Sequence, residues 1–484
     1  MHYLDLATIA VYLIAITWFG AHFRKSQRNL KDYFLGGRNA PWWAIALSLV
    51  SAETSTLTVI GTPALSFSGN FQFLQVVLGY LLARIVISVL FLPQYFRGEM
   101  FTAYELMRRR FGERIRRLTA GTFLVLRALA EGVRVFALSI VISIVLGTGE
   151  IFSILVIVCL TLFYTFEGGM TAVIWTDAVQ MFLYVAGAIF SFVVILREIP
   201  GGWQHVSAIA GAAHKFQMFD FRFAWTSAFF ARNYSFWAGL IGGCFLTTAS
   251  HGTEQLLVQR LLAAKNEQQS RAALLSSWFV IFFQFALFLW IGVLLFVHYS
   301  DARLPGPQPA DSIYPKFVWN NLPAGAAGLV IAAILAAGMS NLSAALNALA
   351  STTVMDFYKP WAIRRNPERS SDAHFLQIAR WATAAWGVIL FVVGLVARHV
   401  GSVLEAGLTI ASILYGSLLG VFLLGLVTKR VHQNAAIIAM LAGLALMLYV
   451  RFETSIAFTW YVVIGTAATF STGYVMSLFL KETA

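Results

Sequence analysis

The sequence predicts an all-α membrane protein with about 13 transmembrane helices, and three observations predict it. Charged residues make up only 12% of the 484-residue chain, about half the ~25% of a soluble protein. Apolar runs of about 20 residues recur from end to end, each long enough to cross a ~30 Å hydrocarbon layer as a helix. Lysine and arginine collect in alternate connections between those runs. Such a chain is not a soluble enzyme, a disulfide scaffold or a disordered polypeptide, and no connection is long enough for a soluble domain.

The runs fall near 5–23, 42–66, 71–96, 118–147, 151–168, 171–197, 232–258, 273–299, 322–357, 377–398, 403–428, 433–451 and 457–480. Of the 34 Lys and Arg residues, 23 lie in one set of alternate connections and the C-terminal tail, and eight in the opposite set. The basic set marks the cytoplasmic side. The N-terminus is therefore expected outside and the C-terminus inside. The net charge of +12 reports topology and not a nucleic-acid partner.

The first run is no cleavable signal, because Arg24, Lys25 and Arg28 follow the apolar stretch instead of preceding it. The second contains Ser51-Ala-Glu53-Thr54-Ser55-Thr56-Leu-Thr58 near its middle. A lipid-facing helix has no use for that many polar groups, and unwound backbone at such depth is tolerated only inside protein or beside water. The connection 97–117 is expected to hold a surface helix whose arginines meet lipid headgroups. The seventh run, Gly242-Gly243-Cys-Phe-Leu-Thr247-Thr248-Ala-Ser250-His251-Gly, is the second candidate for a break. Runs two and seven stand five apart, so 2–6 and 7–11 read as two inverted five-helix halves, and paired broken helices point to a transporter binding site. The outer connections 198–231 and 300–321 and the inner one, 358–376, are polar links. Cys159 and Cys244 lie within apolar runs and carry no redox information.

Six ionisable residues sit well inside these runs: Glu53, Arg84, Arg127, Glu131, Arg134 and Asp177. Intramembrane charges mark pathways or partners by default, and three of each sign allow complete pairing. Arg127, Glu131 and Arg134 share one helix face, where one carboxylate cannot neutralise two guanidiniums. Arg134 is then either a cavity residue that binds a substrate carboxylate, where arginine offers bidentate geometry, or half of a structural pair. Asp177 requires a cation, a proton or an arginine. Ala337, Ser340, Asn341, Ala344 and Asn347 form a small, polar stripe, read as close helix packing or as oxygen donors for Na⁺, a hard cation. No nucleotide loop, zinc motif or nucleophile elbow occurs, which disfavours an enzyme.

The chain resembles the sodium/solute symporter family, which includes the sugar, proline and sialic acid carriers. Four segments carry the likeness: Asp32-Tyr-Phe-Leu-Gly-Gly-Arg38; Tyr164-Thr-Phe-Glu-Gly-Gly-Met-Thr-Ala-Val-Ile-Trp-Thr-Asp177-Ala-Val-Gln180; Gln259-Arg-Leu-Leu-Ala-Ala-Lys265; and Asn347-Ala-Leu-Ala-Ser-Thr-Thr-Val-Met-Asp356-Phe-Tyr358. The resemblance implies a single transporter domain over 1–484 with a LeuT-type core. An extra helix at about 5–23 precedes core repeats at about 42–197 and 232–428, and further helices follow at about 433–480. It implies alternating access in a cytoplasmic (inner) membrane, with uptake of a small-molecule solute driven by Na⁺ and no obligate protein partner beyond the membrane lipids. The main Na⁺ site would use the carbonyls of Ser51, Thr54 and Ala337, the Ser340 hydroxyl and the Asn341 side chain. Glu53 matches a position linked to Na⁺ binding in the proline branch. Asp177, Ser343 and Ser340 match a second Na⁺ site that some members possess. Position 341 is usually Ser or Thr, and Ala344 stands where members with the second site tend to have Ser. The solute would contact Ser55, Thr56, Thr58, Phe71, Gln75 and Arg134. Ser250 and His251 replace the aromatic gate of the sugar carriers, which favours an organic acid, acidic sugar or amino acid over a plain sugar or polyol. A proton-coupled transporter and a transporter-like sensor are the alternatives, although the chain ends at Lys-Glu-Thr-Ala with no signalling domain.

Overall fold

In the computed structural model, which describes residues 3–22, 38–97, 100, 103–164, 170–365, 372–399 and 401–480, the apolar runs form helices, and no β-strand occurs among these residues. The Asp32–Gly37 part of the first family-like segment and residues 165–169 of the second lie outside the described residues. So does the side chain of Ser340.

The first helices are α1 (Tyr3–His22), α2 (Trp42–Glu53) and α3 (Thr56–Ser68). Next come α4 (Leu74–Tyr95), with a π turn at Ile87–Phe91, then α5 (Ala103–Phe111) and α6 (Glu113–Leu146). They are followed by α7 (Glu150–Tyr164), α8 (Met170–Glu198) and α9 (Gly202–Ala212). A π turn at Ala238–Gly242 leads into α10 (Gly243–Thr253), then α11 (Gln255–Leu262) and α12 (Glu267–Asp301). The rest are α13 (Ile313–Asn321), α14 (Ala326–Thr352), α15 (Asp372–Ala397), α16 (Val403–Val427), α17 (Gln433–Glu453) and α18 (Tyr461–Phe479).

Among the described residues, nine helices are long and apolar enough to cross a membrane, and the bent pair α2–α3 makes a tenth. Of the other three predicted runs, α1 spans Tyr3–His22, α7 runs from Glu150 to Tyr164, where the described residues pause, and the seventh run is cut into α10 and α11. Large apolar side chains such as Phe182, Phe283, Val388 and Phe479 are exposed on the outer faces, as expected of surfaces that meet lipid tails.

The two helix breaks have different origins. Between α2 and α3 the axis turns by 61° within the hydroxyl-rich run, whose side chains compete with backbone partners. Ser55 N–H donates to the Glu53 carbonyl (3.0 Å) and Thr58 N–H to that of Ser55 (2.9 Å). The Ser51 and Thr54 carbonyls are thereby released from the helical ladder, which would have used them for those two N–H groups. The second break does not fall among the glycines of the seventh run, as the sequence suggested. Gly242 and Gly243 instead pass through the π turn into an unbroken helix, and the chain becomes extended at Glu254 (φ −88°, ψ 128°). The glycines serve close packing: a Cβ at Gly79 in α4 would sit 2.6 Å from the carbonyl oxygens of Gly239 and Leu240.

The core is layered around the first break. Helix α3 packs on α12, α2 on α8, α4 on α10 and α6 on α15, while α16, α17 and α18 pack mainly on one another. Helix α3 also meets α14. There a Cβ on Gly338 would lie 2.3 Å from Leu138 Cδ2 and 2.4 Å from Thr56 Oγ1, so only glycine allows the approach.

Candidate functional site

The α2–α3 break presents two faces. On one, Thr56 Oγ1 approaches Gly338 of α14; Ser51, Thr54, Ala337 and Asn341 are all buried, and Ser343 is half-buried further along α14. The Ser51 and Thr54 carbonyls are released at the break, and the Thr54 hydroxyl accepts a 2.6 Å hydrogen bond from Gln284 Nε2 of α12. Neutral oxygens of this kind suit a hard monovalent cation.

The other face opens into a cavity of about 130 Å³. Ser55 and Thr58 line it from the break, Phe73 and Tyr80 from α4, Arg127 and Arg134 from α6, Ser250, His251 and Glu254 from the region of the second break, and Tyr415 from α16. Three predicted solute contacts are not on this wall. Thr56 turns toward Gly338 of α14. Phe71 packs on Trp290 at 4.7 Å and on Phe216 at 6.1 Å. The Gln75 side chain accepts from Asp220 N–H at 2.9 Å and donates to the Gln72 carbonyl at 3.1 Å. The reason is register: the turn at Phe71–Phe73 sends Phe73 and, seven residues on, Tyr80 inward, which leaves Phe71 and Gln75 to anchor the 213–226 loop.

All six intramembrane charges are paired. Glu53 ends α2 with its carboxylate 2.5 Å from Arg84 Nη2 and 3.1 Å from His251 Nε2. The buried Arg84 also donates to Ser277 Oγ (3.1 Å) and the Tyr80 carbonyl (3.3 Å). Glu53 therefore faces α4 and α10. Asp177 accepts from Ser48 Oγ at 2.7 Å and from Arg260 Nη2 at 3.0 Å, and Arg260 also donates to Ser48 Oγ (3.0 Å) and the Leu256 carbonyl (2.8 Å). Asp177 is 2% exposed and Arg260 1%, so the arginine supplies the cation that the carboxylate requires. On α6, Glu131 Oε1 meets both Arg134 Nη1 and, at 2.6 Å, Arg127 Nη2. Arg127 Nη1 lies 2.8 Å from Glu254 Oε1, and the Tyr415 hydroxyl donates to Glu254 Oε2.

Glu254 and Arg260 are the charged members that sequence reasoning overlooked, while His251, read there only as part of the gate, meets Glu53. Arg260 was counted with an inner connection but belongs to α11. An acidic residue inside the seventh run was the available signal for Glu254.

Polar groups also brace the rim of the site. The Lys215 ammonium donates to the Phe67 (2.7 Å) and Gly69 (2.9 Å) carbonyls at the end of α3, and burial lowers its pKa. Hydrogen bonds from Arg222 hold Asp220 below the usual carboxylate range. Asp311 Oδ2 accepts Val403 N–H at the start of α16 (3.1 Å). Burial pushes the Asp311 pKa up to about 6, with the Glu405 charge adding to the rise and the Val403 bond opposing it.

Residues 33–443 match the profile of the sodium:solute symporter family. The sodium/sialic acid symporter of Aliivibrio fischeri is 27% identical over 99% of this chain and 94% of its own length. The sodium-coupled monocarboxylate transporter 2 of mouse is 28% identical over 93% of this chain and 71% of its own. Among solved structures, a substrate-bound, outward-open Na⁺-coupled sialic acid symporter superposes with a TM-score of 0.85 at 25% identity, covering 99% of this chain and 98% of that one. The nucleobase-cation symporter Mhp1 in a closed conformation superposes at 0.58 with 12% identity, a likeness of fold alone.

Proposed function

Because the chain belongs to the sodium:solute symporter family, we propose that it uses Na⁺ to drive uptake of a small carboxylate-bearing solute by alternating access. It is an integral multi-pass membrane protein with a LeuT-like fold, a transporter and not an enzyme, and Na⁺ is its coupling ion.

The observation that carries the proposal is the shared use of one broken helix. Ser51 and Thr54 release carbonyls at the break, and Ser55 and Thr58, one and four residues after Thr54, line the cavity that holds Arg134. Na⁺ between the break and Ala337, Ser340 and Asn341 would order the segment that greets the solute. Each ligand would then favour the other reciprocally, with a coupling of typically 1–3 kcal/mol. Arg134, the most exposed member of its network at 23%, would take the carboxylate in bidentate geometry, with Ser55, Thr58 and Phe73 around it. Because Arg260 already neutralises Asp177 and position 344 is Ala, we assign one Na⁺, ligated through α14, and no second ion at Asp177 and Ser343.

The proposal extends to topology: thirteen spans, N-terminus outside and C-terminus inside the cytoplasmic membrane. The core repeats would run over about 42–197 and 232–428. Arg108 and Arg109, half-exposed on α5, would meet anionic headgroups. The test is uptake into proteoliposomes of lactate, N-acetylneuraminate and glucose, each with Na⁺ or choline outside. Na⁺-dependent accumulation of a carboxylate, lost in Arg134→Ala, is expected. Equal uptake in choline would overturn the coupling, and glucose transport alone would overturn the solute class.

A further inference from the structure

We propose that Glu131 is a relay that carries occupancy of Arg134 to the second helix break, so that the solute itself unlocks the inner side of the cavity. This rests on the carboxylate reading above, but its central test needs no solute.

The network leaves one acceptor unused at a decisive point. Glu131 is fully buried, and a single oxygen, Oε1, meets both Arg134 and Arg127. Its other oxygen, Oε2, is buried with no hydrogen-bond partner among the described residues. Arg127 divides its guanidinium between Glu131 and Glu254, with one terminal nitrogen toward each (2.6 and 2.8 Å). Glu254 is the extended residue that separates α10 from α11, and it also holds Tyr415 of α16. Arg127 is therefore the tie between α6 and the second break, and Glu131 competes with Glu254 for that tie.

Two arginines and two glutamates balance in charge while the site is empty. A solute carboxylate adds one negative charge at Arg134, roughly 10 Å further along α6 than Arg127 by the helical rise. Arg134 can then exchange Glu131 for the solute, and Glu131 is left with both oxygens available to Arg127. A bidentate Arg–carboxylate pair is the stronger arrangement. The gain at Glu131 is taken from the Arg127–Glu254 contact, and the start of α11 loses its anchor to α6. Glu131 touches neither ion nor solute in this scheme and is a positioning residue. The scheme is a two-state element biased by a ligand, with a named exchange of contacts between the states.

The experiment is hydrogen–deuterium exchange of the amides of Gln255–Leu262 in the purified full-length protein. Five samples are compared: the parent protein, Glu131→Gln and Glu254→Gln, and the parent and Glu131→Gln each with saturating lactate or N-acetylneuraminate in Na⁺. In Glu131→Gln, Arg127 keeps Glu254 as its one charged partner, so exchange in α11 is expected to slow at least fivefold. In Glu254→Gln it is expected to rise by a similar factor. An equal or faster rate in Glu131→Gln, with exchange unchanged in the distant α17, means that Glu131 only props the arginines, and the relay is overturned. A general rise that includes α17 reports a loosened fold. Glu131→Asp then decides: parent-like α11 exchange with faster lactate release supports the relay, and α11 loosening that persists overturns it. Acceleration by a carboxylate probe in the parent, absent in Glu131→Gln, completes the scheme. Silence of every probe in the parent while Glu131→Gln still slows α11 falls on the assigned solute and not on the relay.

Discussion

Replacing Arg260 by methionine removes a guanidinium that lies 3.0 Å from the buried Asp177 carboxylate. Asp177 is 2% exposed and Ser48 is fully buried, so water cannot substitute without opening the α2–α8–α11 junction. Removing one partner of a buried ion pair costs about 3–5 kcal/mol. The bond to Ser48 Oγ contributes roughly 1 kcal/mol more, and the methionine stem returns part of the lost packing. A net destabilisation of about 4 kcal/mol is expected for Arg260→Met, measured as unfolding free energy by denaturant titration in mild detergent. Asp177→Asn in the same background removes the buried charge that Arg260 had balanced and should restore at least about 2 kcal/mol, giving a large coupling energy in the double-mutant cycle. If Arg260→Met unfolded within about 0.5 kcal/mol of the parent protein, or if the two substitutions were additive, Asp177 would not depend on Arg260. The assignment of a single Na⁺ would lose its physical basis with it.

Three other outcomes follow from the geometry. Gly338→Val drives side-chain atoms into Leu138 and Thr56 and should weaken Na⁺ activation of uptake at least tenfold, with the protein still inserted in the membrane. Lys215→Met leaves the last carbonyls of α3 without their ammonium and should lower stability by about 1–2 kcal/mol, read in the same titration. Asp311 has a pKa of about 6 in the folded protein against 3.8 unperturbed, so the folded state holds the extra proton between those values. Stability from this site is fully present below about pH 4 and is lost as pH rises through 6. The loss between pH 5 and 7 is about 1 kcal/mol, and Asp311→Asn should abolish that slope.

The sequence by itself determined the class of the molecule, because the transfer of apolar runs into lipid depends on local composition alone. It also located the first break, where six hydroxyl or acidic side chains fall within eight residues, and the one-face spacing of Arg127, Glu131 and Arg134, which helical geometry dictates without tertiary help. It did not locate the second break: glycines marked the run, yet they serve close approach, and the chain unwinds at Glu254, where Arg127 and Tyr415 offer partners. Nor did it distinguish Phe73 from Phe71 on the cavity wall, since the register of a turn depends on what the neighbouring loop supplies. Charge pairing was equally out of reach. Ser48, Asp177 and Arg260 are separated by more than eighty residues each, and only the packing of α2, α8 and α11 brings them within hydrogen-bond distance. Local physics chose where each helix would be costly to place in lipid, and the tertiary structure chose the partner that made each placement possible.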